Sequence, residues 1–140
     1  MGKSGSYCVL IGALLAMAIS PAAADGAIAI GATSAPEDGV AYGAVVNSPT
    51  SAEARAVSLK RCRSYSPAPA AADACASVST FKNRCYALAL DPKAGMPGFG
   101  WGLDRTKDAA RQQALENCKN LAGEDRRDFC RVIESDCDEN

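Results

Sequence analysis

The sequence predicts an α+β domain built from two tandem β-β-α-β copies related by an approximate two-fold, with about six strands, two helices and a set of disulfide staples. Three observations carry that expectation. First, residues 39–62 and 95–118, aligned without a gap, agree at six of 24 positions: Gly39 and Gly95, Thr50 and Thr106, Ala54 and Ala110, Arg55 and Arg111, Leu59 and Leu115, Cys62 and Cys118. The shared types have structural duties, namely a turn glycine, a helix cap, small or apolar helix positions and a cysteine at a helix end. Second, short segments alternating at period two flank two segments whose apolar residues recur at helical spacing. Third, six cysteines remain once an N-terminal leader is set aside.

The leader is residues 1–24, read as a signal peptide. Lys3 gives the positive start, residues 8–19 the apolar run, Ser20-Pro21 the break, and Ala22-Ala23-Ala24 the small-residue cleavage site. The run falls short of the roughly 20 apolar residues needed to span a bilayer, which disfavours a membrane anchor. Cleavage near Ala24 sends residues 25–140 to the periplasm or beyond as a single domain, with repeat one at 26–84 and repeat two at 85–137. Fourteen basic residues then face sixteen acidic ones, a formal charge of −2. That balance gives no reason to expect nucleic acid or an anionic membrane as partner.

In order, Ala27-Ile28-Ala29-Ile30 alternates as a strand with one well-packed face. Pro36-Glu37-Asp38-Gly39 is a turn, and a second strand runs over residues 40–46, closed by Asn47-Ser48-Pro49. The first helix is expected over residues 51–62, with Thr50 and Glu53 as a capping box and Ala54, Ser58, Leu59 and Cys62 on its buried stripe. Lys60, Arg61 and Arg63 at its end suit either an anion or the helix dipole, and the dipole explains them without a ligand. Residues 64–72 hold prolines at 67 and 69 and are expected to be a loop. Strands follow at 75–81 and 85–90, joined by Lys82-Asn83-Arg84 as a hairpin turn.

The second copy turns at residues 91–95. Its strand Phe99-Gly100-Trp101-Gly102-Leu103 puts three large residues on one face and two glycines on the other. Glycines within a strand signal close approach of a backbone or a ligand. Either a helix packs tightly there, or the face is a groove with Trp101, Gly100 and Gly102 as a candidate recognition surface. Thr106 caps a helix running to about Leu121, whose buried stripe is Ala110, Ala114, Leu115, Cys118 and Leu121, with Gly123 ending it. Residues 129–135 form the last strand, and 136–140 an acidic tail that frays after the cysteine.

Six cysteines in an exported chain point to disulfides, with 15 connectivities open on count alone. The repeat selects among them. Cys62 with Cys75 and Cys118 with Cys130 each join a helix end to the following strand, which leaves Cys85 with Cys137. A zinc site is disfavoured, since the chain has no histidine and no C-x-x-C pair.

No catalytic set is visible. The absence of histidine excludes Ser-His-Asp and Cys-His nucleophilic systems. GFGWG lacks the lysine of a phosphate loop and does not open a helix. Asp91 and Asp104, flanking the glycine strand, are the candidates for paired acid-base carboxylates, a role that requires them to converge within about 10 Å. Trp101, Tyr42 and Tyr86 suit either an aromatic recognition surface or the core.

With the G-A-I-A strand at 26–30, the glycine-bearing strands at 42–45 and 99–103, the A-x-x-x-A-L-x-x-C type of helix ending at 54–62 and 110–118, C-x-V at 75–78, Phe81 shortly before Cys85, and the segments at 85–90 and 130–137, the chain resembles the bacterial family known as domain of unknown function 4189. Ser58 departs from the pattern by replacing the alanine before Leu59, and the loops at 32–39 and 64–73 are long. The resemblance implies a secreted or periplasmic protein of this architecture and carries over no catalytic residue, metal or cofactor. The expected function is a disulfide-stabilised binding or interaction module whose partner is a protein or a cell-envelope component. A carboxylate hydrolase acting on the envelope and a purely structural envelope protein are the alternatives.

Overall fold

The structure, a computed structural model, describes residues 25–139; the expected signal peptide lies outside them. The described residues form six strands and three α-helices, in the order β1 (Asp25–Ala32), β2 (Val40–Ser48), α1 (Ser51–Arg63), α2 (Pro69–Asp73), β3 (Ala76–Phe81), β4 (Cys85–Leu90), β5 (Phe99–Asp104), α3 (Lys107–Ala122) and β6 (Arg131–Cys137). They form two antiparallel three-stranded sheets, ordered β2-β1-β3 and β5-β4-β6. No helix among the described residues is long and apolar enough to cross a membrane.

Side-chain size assigns the faces. On the central strands, Ala27 and Ala29 of β1 and Ala87 and Ala89 of β4 alternate with Ile28 and Leu88, and all six are fully buried. The small residues face the helices. Ala87 and Ala89 pack with Ala110, Ala114, Cys118 and Ala122 of α3, while Ala29 packs with Cys62, Ala71 and Ala72 of the α1 and α2 side. The large residues face the other sheet, where Ile28, Ala44, Phe81, Tyr86 and Leu88 form one cluster flanked by Tyr42, Trp101 and Leu103. The layers are therefore helix, sheet, sheet, helix, and an alanine or glycine face lets each helix backbone approach its sheet.

Both long helices start as expected, with Thr50 Oγ1 accepting from the Glu53 amide and Thr106 Oγ1 from the Ala109 amide, each at 3.2 Å. Gly39, Gly95 and Gly123 hold positive φ, between 73° and 79°. The disulfides join Cys62 to Cys75, Cys118 to Cys130 and Cys85 to Cys137, so no described cysteine carries a free thiol.

Four expectations require correction. Residues 64–72 are not all loop: Pro69 begins α2 at the first helical position, where its missing N–H breaks no intrahelical bond. The turn at 82–84 is not a hairpin, because β3 pairs with β1 and β4 starts the other sheet. On α3 the buried stripe ends at Ala122, while Leu121 is 60% exposed. The tail does not fray after Cys137. Asp138 is buried, its carboxylate accepting from the backbone amides of Asn47 and Asn83, and the Glu139 amide donates to Asn47 Oδ1. Asn47 and Asn83 are the two described non-glycine residues with positive φ, so one carboxylate ties the irregular end of β2 to the turn before β4.

Candidate recognition site

β5 is an edge strand, and its alternation builds the site. Gly100 and Gly102 face α3. A Cβ at Gly100 would stand 2.4 Å from both the Ala114 carbonyl oxygen and the Cys118 nitrogen, and one at Gly102 would stand 2.4 Å from the Ala110 oxygen. The helix thus occupies the glycine face. Trp101 and Leu103 turn the other way, against the inter-sheet cluster. The outward edge of β5 is capped by α3: the Leu103 amide donates to Gln113 Oε1 and Asn117 Nδ2 donates to the Trp101 carbonyl, both at 2.8 Å. Covering an edge in this way blocks pairing with a foreign strand.

Beyond these caps a recess of about 410 Å³ opens, lined by Phe99, Gly100, Trp101, Asn117, Asn120 and Leu121. Trp101 is half-buried and Asn117, Asn120 and Leu121 are exposed. Of the expected recognition residues, Trp101 and Gly100 line this recess, whereas Gly102 lies under α3. Sequence reasoning missed Asn117, Asn120 and Leu121. Their signal was a spacing of three and four on one helix face, obscured by assigning Leu121 to the core.

Close helix-on-glycine contact also occurs between α1 and β2. A Cβ at Gly43 would meet the Ser58 oxygen at 2.3 Å and the Cys62 nitrogen at 2.5 Å, and Arg61 donates to the Ala44 carbonyl. Arg61 of α1 thus reaches the Ala44 carbonyl of β2 much as Asn117 of α3 reaches the Trp101 carbonyl of β5. Three residues past Cys62, Tyr65 lies against Tyr42 with ring centroids 4.7 Å apart. Three residues past Cys118, Leu121 remains exposed.

Asp91 and Asp104 are not brought together. Cys85 lies opposite Asp104 and Leu90 opposite Phe99, so the two carboxylates mark opposite ends of the β4–β5 ladder. Six residues at about 3.4 Å each separate them by roughly 20 Å. Asp91 is also engaged: Arg126 Nε and Nη2 donate to its two oxygens at 2.8 and 2.7 Å, and the Lys93 amide adds a third bond. The guanidinium beside it holds its carboxyl below the usual carboxylate range. Arg126 lies 3.9 Å over the Phe129 ring, completing a strut between the turn after β4 and the segment before β6.

Tyr42 and Tyr86 do not join Trp101 in the recess. Tyr86 donates to Glu134 on β6, and burial followed by that bond pushes its phenol upward. Burial and Tyr65 push Tyr42 up to about 12. Burial thus favours the neutral phenol at both, Tyr86 within the inter-sheet core and Tyr42 at its edge.

The model of one family, described as a domain of unknown function (DUF4189), matches residues 26–137. No curated protein and no solved structure matches the chain.

Proposed function

Since the chain belongs to the family of the domain of unknown function DUF4189, we propose that it acts as an exported, disulfide-stabilised binding module whose recognition surface is the recess at Trp101. The observation that carries this reading is the asymmetry between the halves. The framework of glycine, capped strand edge and helix is the same on both sides. In the first half Tyr65 lies tilted against Tyr42, while in the second the corresponding space is open and bordered by an indole, two amides and an exposed leucine. We read the halves as two copies of one β-β-α-β unit, of which the second has been adapted for binding. A pocket with an apolar floor and a few polar groups at its rim is the usual form of a ligand site.

Export is supported by the leader sequence and by three disulfides, which persist in oxidising compartments. The hydrolase reading loses its candidate pair, because Asp91 and Asp104 stand far apart and Asp91 is committed to Arg126. The test is NMR of the ¹⁵N-labelled, oxidised mature protein titrated with a solubilised digest of bacterial envelope. The proposal expects shifts at the Trp101 indole and the Asn117, Asn120 and Leu121 amides. Shifts confined elsewhere, or none, would overturn it.

A further inference from the structure

Resting on that reading of the recess, we infer that its ligand is an uncharged saccharide. Three features select this class. None of the six lining residues is charged, although 22% of the chain is, so a phosphate, carboxylate or ammonium ligand would lose its hydration without a countercharge. The rim offers carboxamides. Asn120 is exposed and its side chain makes no hydrogen bond within the described residues, so it has a donor and an acceptor to offer. Phe99, Gly100, Trp101 and Leu121 make the rest of the lining apolar. A pyranose has this dual character, with a face of C–H groups for an aromatic or aliphatic floor and a rim of hydroxyls for amides.

An extended peptide fits less well. Strand addition requires a free backbone edge, and here the Leu103 amide and the Trp101 carbonyl are already taken by Gln113 and Asn117. At about 410 Å³ the recess lies within the size range of small-ligand sites.

Trp101 is the chain's single tryptophan, so its fluorescence reports this site alone. The oxidised mature protein is titrated with the N-acetylglucosamine trimer, maltotriose, trigalacturonate and an uncharged extended peptide. The expected result is a saturable change with at least one neutral trimer and none with trigalacturonate or the peptide. Asn120→Ala and Leu121→Ala alter exposed positions, leave the fold intact and are expected to weaken binding roughly 5- to 10-fold. The inference is overturned by silence toward both neutral trimers, by a response to trigalacturonate or the peptide instead, or by undiminished binding in both variants. If the envelope digest shifts the Trp101 signals while both trimers leave the fluorescence unchanged, the saccharide class falls and the binding-module reading stands. If neither produces a change, both fall.

Discussion

Gly100→Ala introduces one methyl group at a point of close approach between α3 and β5. The new Cβ would sit 2.4 Å from the Ala114 oxygen and the Cys118 nitrogen. Both are backbone atoms, in a helix turn tied down by the Cys118–Cys130 disulfide, so neither can move as a side chain would. Ordinary contact needs about 1 Å more, and forcing such an insertion into a packed layer costs about 1–3 kcal/mol, with rigid surroundings pointing to the upper end. Alanine also narrows the unfolded ensemble, which offsets about 0.4–1 kcal/mol. The net loss is about 2 kcal/mol, a fall in Tm of roughly 8 °C for a domain of this size. Urea unfolding of the oxidised protein measures it, with Gly43→Ala as a parallel case, since its Cβ would meet the Ser58 oxygen at 2.3 Å. An unchanged or raised midpoint for either variant would refute the view that these glycines admit the helix backbone.

Replacing Cys118 and Cys130 together by serine opens a loop of sequence separation 12 and is expected to cost about 3 kcal/mol in urea unfolding; a loss below about 1 kcal/mol would show that the bridge adds little to the packing around it. For Asp91→Asn the signature is pH dependence. The folded carboxyl lies below its ordinary value, so its contribution is present above the unfolded pKa of about 3.9 and is lost as pH falls through the lower folded value. The Tm gap between wild type and variant is therefore expected to hold from neutral pH to about 5 and to close on further acidification; a gap that persists at the lowest pH would contradict the pairing with Arg126. At the alkaline end, the raised values of Tyr42 and Tyr86 favour the folded state below the ordinary phenol pKa of about 10, and that stability drains as pH rises toward 12. Tyrosinate absorbance and circular dichroism followed together should show these phenols ionising with unfolding, and ionisation of both in an intact fold would contradict their burial.

Much of the architecture was legible because it is written in residue types that admit few alternatives. Thr50 and Thr106 mark helix starts, and Gly39, Gly95 and Gly123 mark turns that need positive φ. The alternation of alanine with isoleucine or leucine in β1 and β4 announces buried strands. It does not reveal that the small face meets a helix and the large face a second sheet. What stayed hidden depends on tertiary context. A three-residue turn such as 82–84 can close a hairpin or carry the chain between sheets, and only the pairing of β3 with β1 decides. Leu121 and Ala122 are both plausible ends to a helical stripe. Ala122 takes the buried place because Gly98 leaves room for a methyl and no more, with the Ala122 Cβ 2.9 Å from where a Cβ of residue 98 would lie. That single step in phase separates a core leucine from one at the rim of a recess. The conspicuous Trp101 was visible in the sequence, but its neighbours Asn117 and Asn120 were not, since their shared helix face with Leu121 marks a rim only once Leu121 is known to be exposed.

The most direct test of the account is the NMR titration of the labelled, oxidised domain with solubilised envelope, read at the Trp101 indole. A saturable shift of that signal together with the Asn117, Asn120 and Leu121 amides is the predicted result. A titration in which the indole stays fixed, while other regions respond or nothing does, would contradict it.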